Sequence, residues 1–475
     1  MKSGIRYILL AIWAAKVIQA SDSQRFLQKF EGAVRPHSIN VDGSRLEKRS
    51  STPAFEILQE EWSVEAPKAG SKKIGQLKSA TEACRKDVHK IYSAADLARI
   101  RHQCKEVIGT VHIVDFTDSI IDLGTMEKIQ GNLIIENLPQ IVKIQASRLN
   151  EISGTLKLDS LTSLTDLHFP SLQHFEAIDW KVVPTLTAFN LAPNITSAKR
   201  IIISDSSLVN IGGLQNIEEL EVLNINNNRY MENVDSKVKR IFEQLSISAN
   251  SRELRVNLPE LKWANNITIR DASSTSFPQL QYVNHSLEFI ENYFESLPLP
   301  VLKSVGGTLG LLENPHLEQV DFSNVTNIQG GLMIANNSRI QSINFLPQLR
   351  EIGGAIQFFG TFQEISLPLL KLVRGSALIK STSNVLDCSK WTTPVSGNSI
   401  IRGGQIICNS GRVQSSARVS EDGTLLGREQ KESANISDNE RNSGSFIVDK
   451  SKLPAFGFAL ALGWIAALIC FLISQ

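Results

Sequence analysis

The sequence predicts a mainly β fold: a right-handed, leucine-rich or β-helix-like solenoid of about thirteen turns with a disulfide-bonded cap at each end. Three observations lead to this prediction. An apolar motif recurs at steps of about 22 residues, each copy keeps a pair of apolar strand positions, and four cysteines bracket the copies. The 475-residue chain is 42% hydrophobic, which is enough to form one long core.

Residues 1–20 have the pattern of a secretory signal peptide. Lys2 and Arg6 precede the apolar run Tyr7–Ala15, and Ala20 supplies a small residue at the expected cleavage point. The run is too short to span a bilayer as a helix, whereas this order of features is typical of secretion signals. A polar lead-in follows over 21–83. Its Lys48-Arg49 pair is either a processing site or an ordinary solvated charge pair.

Residues 84–106 are predicted to form an N-terminal cap. The segment Ser93–Gln103 has the pattern of an amphipathic helix that could cover the open end of the core. A cap is needed because an exposed ladder edge would recruit other strands.

Residues 107–387 form the predicted solenoid. The motif V-x-G-x-V-x-I at Val107–Ile113 recurs as I-x-G-x-L-x-I at Ile129–Ile135, and the register continues to position 373. Because side chains alternate along a strand, the fifth and seventh positions of each turn should face inward. These positions are all apolar: Val111/Ile113, Leu133/Ile135, Leu156/Leu158, Ile178/Trp180, Ile201/Ile203, Leu223/Ile225, Leu245/Ile247, Ile267/Ile269, Leu287/Phe289, Leu309/Leu311, Leu332/Ile334, Ile356/Phe358 and Ala377/Ile379.

Two further features recur with the turns. A glycine precedes the strand where neighbouring backbones should pass closely, at Gly109, Gly131, Gly154, Gly307, Gly330, Gly354 and Gly375. An apolar-Pro-x-apolar corner marks bends between ladders, at Pro139, Pro170, Pro259, Pro278, Pro300, Pro347 and Pro368. The turns from 174 to 283 lack the glycine, so two regular lobes joined by an irregular centre are an open alternative to one uniform solenoid.

The length of the solenoid predicts the disulfides. Thirteen parallel turns would be about 60 Å long, so a cross-link between the two ends is geometrically excluded. We therefore expect Cys84 to pair with Cys104 and Cys388 with Cys408, which defines a C-terminal cap over 388–408.

The C-terminal residues have the pattern of a GPI attachment signal. A hydrophilic stalk is expected over 409–442, followed by a propeptide over 443–475 that is removed. Small residues at Asn442-Ser443-Gly444, a polar spacer and the uncharged segment Leu453–Ile473 match the signal, with Asn442 the preferred attachment site and Ser443 or Gly444 the alternatives. A plain tail anchor is less favoured because no basic flank follows the apolar segment.

Six N-x-S/T sequons predict a glycoprotein, because their chain also has a signal peptide pattern. They are centred on Asn194, Asn266, Asn284, Asn324, Asn336 and Asn435.

The ordered, cysteine-bracketed turns resemble receptor-L-type leucine-rich turns, with asparagine-containing followers such as Glu136–Pro139 and Glu313–Pro315. Together with both terminal signals, residues 84–475 are similar to the fungal GPI-anchored cell-wall organisation and sporulation-specific wall-protein family. The resemblance implies a non-catalytic role in cell-wall organisation or ascospore wall assembly. It also implies cell-wall polysaccharide or wall proteins as partners, and a place on the outer leaflet of the plasma membrane, in the wall, or in both. The stalk lacks a long Ser/Thr-rich tract, so membrane retention and transfer to wall glucan both stay open.

Other function classes find little support. The balance of 49 basic and 48 acidic side chains argues against a nucleic-acid partner. The chain has no GxSxG, HExxH, P-loop or dinucleotide fingerprint, and its histidines are scattered over different turns, so no catalytic residue, cofactor or metal site is predicted. A β-glucan-remodelling enzyme remains an alternative because carboxylates from adjacent turns could pair.

Polysaccharide binding is the other alternative. We expect the outward strand positions to be His112, Ile134, Lys157, Asp179, Ile202, Asn224, Ser246, Thr268, Glu288, Gly310, Met333, Gln357 and Leu378. This row contains no aromatic residue on which sugar rings could stack, so the row favours a scaffold or partner-binding role.

Overall fold

The computed structural model describes residues 82–393, 398–411 and 413–432, all within one compact unit, Leu77–Gln475. The predicted signal peptide, almost all of the lead-in, Asn435, Asn442 and the predicted GPI propeptide lie outside these described residues.

The described residues contain few helices and many short strands. The helices are α1 (Ala94–Gln103) and α2 (Ser389–Thr392), with single 3-10 turns at Glu82–Cys84 and Gly212–Leu214. The strands are β1 (Arg85–Ile91), β2 (Glu106–Ile113), β3 (Ile120–Asp122), β4 (Lys128–Gln130), β5 (Leu133–Glu136), β6 (Lys143–Gln145), β7 (Glu151–Asp159), β8 (Asp166–Phe169), β9 (His174–Val183), β10 (Asn190–Leu191), β11 (Arg200–Ser206), β12 (Glu219–Asn226), β13 (Asn233–Asp235), β14 (Arg240–Ser248), β15 (Arg255–Asn257), β16 (Trp263–Ala264), β17 (Ile267–Arg270), β18 (Ser274–Ser276), β19 (Tyr282–Val283), β20 (Leu287–Ile290), β21 (Ser296–Pro298), β22 (Ser304–Val305), β23 (Leu309–Leu312), β24 (Gln319–Asp321), β25 (Asn327–Ile328), β26 (Leu332–Ala335), β27 (Ser342–Ile343), β28 (Glu351–Ile352), β29 (Ile356–Gly360), β30 (Glu364–Ile365), β31 (Leu372–Val373), β32 (Ala377–Ser381), β33 (Gly404–Ser410), β34 (Val413–Val419) and β35 (Leu425–Glu432).

These strands build a solenoid with two walls. The first wall is a 24-stranded main sheet, in which strands of successive turns pair in parallel from β1 to β33. The second wall consists of four short parallel sheets: β3-β6-β8-β10, β13-β15-β18, β21-β24 and β27-β30. The predicted mainly β solenoid is therefore confirmed, with about 14 turns. The main sheet continues through the middle turns without a break in its pairing.

The inward positions predicted from the sequence line the core. Val111 pairs with Leu133, and the same register carries every later pair to Ala377 and Ile379. None of these 26 side chains is more than 1% exposed. The prediction that the fifth and seventh positions of each turn face inward is therefore confirmed.

Each turn of the chain reverses through two corners. In eleven turns, a residue near the end of the main strand lies in the left-handed region, with φ between 52° and 59°: Asp115, Asn137, Ser160, Val182, Asp205, Asn227, Ala249, Asp271, Glu291, Glu313 and Asn336. The second corner, after the short strand, is a β-turn, and in several turns proline takes its second position, as in the 3.2 Å bond from Leu280 N to Phe277 O around Pro278. Pro139 is an exception to the predicted set because it lies in the first corner, directly after Asn137 and Leu138.

Buried asparagines line the first corner in the middle and late turns. They follow the left-handed residue at Asn228, Asn250, Asn292, Asn314 and Asn337. The side-chain oxygens of Asn250, Asn314 and Asn337 each accept hydrogen bonds from the backbone N and Nδ2 of an asparagine in the preceding turn. The buried polar groups of this corner are thereby paired, as burial requires.

The strand anchors of four middle turns lie one residue later than predicted. The expected anchors His174, Ser197 and Glu219 are exposed, and Trp263 is half-buried. The residues that follow them, Phe175, Ala198, Leu220 and Ala264, are buried instead. In these turns the inward pair therefore begins three positions after the anchor, whereas in the glycine-bearing turns it begins four positions after the anchor. Glycine is present in the turns with the longer spacing because their backbones approach too closely for a Cβ atom.

Each end of the solenoid is capped. Disulfides join Cys84 to Cys104 and Cys388 to Cys408, with Cα atoms 5.7 Å and 5.6 Å apart, and these are the pairs expected from the sequence. Helix α1 matches the predicted amphipathic helix, and its N-cap Ser93 accepts a hydrogen bond from Asp96 N at 3.2 Å. Strand β1, which the sequence did not predict, extends the main sheet beyond the first turn.

The predicted hydrophilic stalk begins too early at residue 409. Strands β34 and β35 instead form an antiparallel pair that continues the main sheet from β33. The segment looks like a stalk in the sequence because only alternate residues of β34 face the core, where Ser415, Ala417 and Val419 are buried. This hairpin covers the last parallel strand.

We expect the Cys84→Ser and Cys104→Ser variants to be destabilised equally, and the double variant to be no worse than either. The same bond is lost in all three, at a cost of about 3 kcal/mol for a loop of this length. Chemical denaturation followed by hydrogen exchange of β1 and β2 measures the effect. Additive losses in the double variant would mean that the two thiols contribute independently.

Candidate binding face of the main sheet

The outer face of the main sheet is the surface on which turns present equivalent side chains side by side. Its central row consists of the thirteen outward positions predicted from the sequence. All of them are half-buried except Gly310, which is buried. The row changes character along the solenoid, from charged to polar to apolar.

The first turns carry a network of charges. Glu136 lies between His112 and Lys157, at 3.0 Å from the imidazole Nε2 and 2.7 Å from the ammonium Nζ. The Lys157 ammonium holds the pKa of the Glu136 carboxyl below its usual range, and Glu136 in turn raises the pKa of Lys157. These charges satisfy one another, so this part of the face is a structural network rather than a site with an unpaired group.

The centre of the face contains one carboxyl group without such compensation. Glu288 folds over Gly310, where an added Cβ atom would be 3.3 Å from the Glu288 Cγ. Burial raises the pKa of the Glu288 carboxyl, and the positive charge of Arg270 opposes that rise only in part. The ionised form of Glu288 is therefore unfavourable in the folded protein.

We expect Glu288→Gln to stabilise the protein near neutral pH. Because the folded-state pKa of Glu288 is raised, the wild type should gain stability as the pH falls through that pKa towards the ordinary value of 4.5. The variant should lack this component of the pH dependence. Melting temperatures across that pH range test it, with the exposed Glu318→Gln as control. Equal pH profiles for wild type and Glu288→Gln would contradict the assignment.

Carboxylates from adjacent turns meet at one edge of the face. Asp271, Glu291 and Glu313 occupy the left-handed positions of three consecutive turns. Desolvation raises the pKa of Glu291; Arg270, 3.9 Å from its carboxylate, opposes the rise, while Glu313 and Asp271 add to it. Glu291 and Glu313 are nevertheless exposed on a ladder edge. The carboxylates are close together, but they do not flank a buried substrate path.

A shallow groove of about 540 Å³ lies on the face beside the middle turns. Its lining is rich in amides, contributed by Asn224, Gln244, Asn265 and Asn266. The Asn266 Oδ1 is buried without a hydrogen-bond partner among the described residues.

An aromatic row is formed by Phe242, Trp263 and Tyr282, which precede the groove residues Glu243, Asn265 and His285 by one to three positions. Trp263 and Tyr282 are direct strand partners, and the Phe242 and Trp263 ring centroids are 5.8 Å apart. None of these three residues occupies a central outward position, so the row is not among the positions predicted from the sequence. The signal that could have found it is an aromatic residue near the start of three successive turns.

The predicted glycosylation sites differ in accessibility. Asn194, Asn284, Asn324 and Asn336 are exposed, whereas Asn266 is half-buried. No group of His, Cys, Asp and Glu side chains within the described ranges is arranged to hold a metal ion. The helices of the described part of the chain are too short or too polar to cross a bilayer.

Comparison with known proteins finds clear relatives among fungal surface proteins. The chain is 43% identical over 402 residues to Sporulation-specific protein 22 of Saccharomyces cerevisiae, covering 84% of both chains. It is 32% identical over 298 residues to Cell wall mannoprotein PST1 of the same species, covering 63% of this chain and 66% of the relative. It is 30% identical over 289 residues to Cell surface GPI-anchored protein ECM33 of Candida albicans, covering 61% and 70%. No family model and no solved structure matches the chain.

Proposed function

The chain belongs to the fungal family of sporulation-specific and GPI-anchored cell-wall proteins, and from this premise we propose that it is a non-enzymatic surface glycoprotein needed for cell-wall organisation, specifically for ascospore wall assembly. The observation that carries the proposal is the 43% identity to a sporulation-specific protein along 84% of both chains. A match of that extent includes the whole solenoid rather than one motif.

The architecture supports a scaffold role. A stack of about 14 turns with a continuous apolar core forms a rod with repeating surfaces on its sides. Such a rod can present docking positions for wall polysaccharide or wall proteins at fixed spacings. The exposed carboxylates Glu291 and Glu313 argue against a glycan-cleaving cleft, because an enzyme of that class encloses its acid and base around the scissile bond.

The proposal includes an outer-surface location through a lipid anchor. A signal peptide over 1–20, a GPI anchor on Asn442 and removal of residues 443–475 would place the rod on the outer leaflet, for retention there or transfer to the wall. Relatives named as a GPI-anchored surface protein and a cell-wall mannoprotein support this location and the glycosylation of the sequons.

Deletion of the gene in the source fungus tests the biological role. We expect vegetative growth with incompletely assembled ascospore walls, measured by electron microscopy and by sensitivity of spores to wall-degrading enzymes. Normal spore walls in the deletion strain would contradict the proposal. A chain lacking Leu453–Gln475 should be secreted in soluble form and should fail to restore the wall.

Purified ectodomain tests the absence of catalysis. We expect no hydrolysis or transfer of β-glucan oligosaccharides, and full complementation by Glu291→Gln and Glu313→Gln. Glucan cleavage that one of these substitutions abolishes without unfolding would establish the enzyme alternative instead.

A further inference from the structure

The aromatic row has a carbohydrate attachment site built beside it. Ala264 and Val283 point into the core, so Trp263 and Tyr282 face outward on neighbouring turns. Asn284 follows Tyr282 by two residues, is exposed, and begins the sequon Asn284-His285-Ser286. Asn284 lies in the bend directly after β19, and its Nδ2 is 2.8 Å from Oδ1 of Asn265, which follows Trp263 by two residues. A sugar on Asn284 would therefore start beside the segments that carry Tyr282 and Trp263.

The row brings three aromatic residues together, rather than exposing one isolated ring. Phe242 is 42% exposed, its ring centroid lies 5.8 Å from that of Trp263, and the Trp263 backbone is paired with that of Tyr282, so these three residues form a strip across three turns. Cations lie at both ends of the strip, with Arg240 over Phe242 at 5.5 Å and Lys303 over Tyr282 at 5.3 Å. The apolar faces of pyranose rings stack on surfaces of this kind.

We propose that the N-glycan on Asn284 is the ligand of this strip, with its N-acetylglucosamine core stacked on Tyr282 and Trp263. The inference rests on the glycosylation included in the proposed function. The glycan is tethered to the strip through Asn284, so its effective concentration there is on the order of millimolar, as for a short flexible linker.

The groove next to the strip provides polar partners for such a glycan. Asn265 already accepts a hydrogen bond from Asn284 Nδ2 at 2.8 Å, which places the attachment amide at the groove. Gln244 and His285 line the same groove, so their polar groups are available to sugar hydroxyls there. Glycosylation leaves one amide hydrogen on Asn284, so the nitrogen of the side chain can still donate to Asn265.

The sequon at Asn324 lacks this arrangement and serves as the control. Asn324 also has an aromatic residue two positions before it, but that residue, Phe322, is fully buried in the core. A glycan on Asn324 therefore has no exposed ring of Phe322 to cover. The matched variants are Asn284→Gln and Asn324→Gln. A third variant, Ser286→Ala, removes the Asn284 sequon while keeping Asn284 itself.

The test is hydroxyl-radical footprinting of the secreted, glycosylated protein after mass spectrometry has established occupancy of each sequon. We expect Asn284→Gln and Ser286→Ala to increase modification of Tyr282 and Trp263 several-fold, with Asn324→Gln leaving both unchanged. Tyr230, 53% exposed, and Tyr92, 47% exposed, should react equally in all variants. Each of two results would overturn the inference: an unmodified Asn284, or equal labelling of Tyr282 and Trp263 with and without its glycan.

A second measurement separates the glycan from a free polysaccharide. Tyr282→Ala should lower the melting temperature more in the glycosylated protein than in the Asn284→Gln background, because only the former loses the stacking contact. Equal shifts would contradict the inference. If glycosylated wild type binds soluble β-glucan, mannan or chitin oligosaccharide and Trp263→Ala abolishes that binding, the strip is an open polysaccharide site and the inference is wrong. A normal spore wall in the deletion strain would count against the proposed function alone.

Discussion

Gly330→Ala is expected to abolish secretion of folded protein. A Cβ atom at this position would be 2.5 Å from the Gly307 carbonyl carbon and 2.8 Å from Thr308 N, both backbone atoms of the preceding turn. Gly330 N donates to Gly307 O at 3.0 Å, and Gly330 O accepts from Gly354 N at 2.8 Å. The three backbones are therefore locked in contact, and one extra carbon must break the ladder on one side or the other.

The matched control for this substitution is Gly427→Ala. Gly427 lies in β35, where an added Cβ atom would meet nothing within 4 Å. We expect its stability to stay within about 0.5 kcal/mol of the wild type, as for ordinary surface substitutions. Secretion yield and the urea midpoint of both variants provide the comparison. A folded Gly330→Ala protein with a wild-type midpoint would show that the turns can move apart without cost.

Asn314→Ala is expected to destabilise the late turns by about 3–5 kcal/mol, since several buried groups lose their partners at once. The Asn314 side chain accepts from Asn292 N and Nδ2, both at 3.0 Å, and donates to Phe289 O at 2.9 Å. It also donates to Asn337 Oδ1 at 3.0 Å. Alanine would leave the Asn292 backbone N–H buried without this acceptor and would remove the side-chain bonds to Phe289 O and Asn337 Oδ1.

Asn327→Ala is the control for the asparagine ladder. Asn327 starts the main-sheet strand β25 and is half-buried on the outer side. We expect a loss below about 1 kcal/mol there. Urea unfolding monitored by circular dichroism measures both variants, and hydrogen exchange in β23 and β26 localises the change. If Asn314→Ala lost no more stability than Asn327→Ala, the row of buried asparagines would not contribute the stability assigned to it.

Two of the asparagines have different roles that the sequence alone does not distinguish. Asn137 lies two residues before Pro139 and Asn314 directly before Pro315, so the sequence groups both as followers of a strand. In the structure Asn137 takes the left-handed position, whereas Asn314 is one position further on and fully buried. Asparagine suits both places, because it tolerates positive φ and its amide can pair buried backbone groups. Only the stacking of turns distinguishes the two roles.

The aromatic row is likewise not evident from the sequence. Phe242, Trp263 and Tyr282 are about twenty residues apart in the chain. The turn of Trp263 has a shorter spacing between anchor and inward pair than the turns of Phe242 and Tyr282. A register built on equal turns therefore places these rings in unrelated positions. Strand pairing of Trp263 with Tyr282 and the 5.8 Å approach of Phe242 assemble them into one strip.

The sequence by itself determined the solenoid, its inward residues and the pairs of cysteines that cap it. These follow from local alternation and from chain length, because a strand buries every second residue and a long stack keeps its ends apart. Tertiary structure decided the second wall of two- to four-residue strands, the hairpin of β34 and β35, and the contacts between turns. Those strands are too short or too polar to show a pattern. The contacts join residues about one turn apart, so their geometry depends on how closely neighbouring backbones approach.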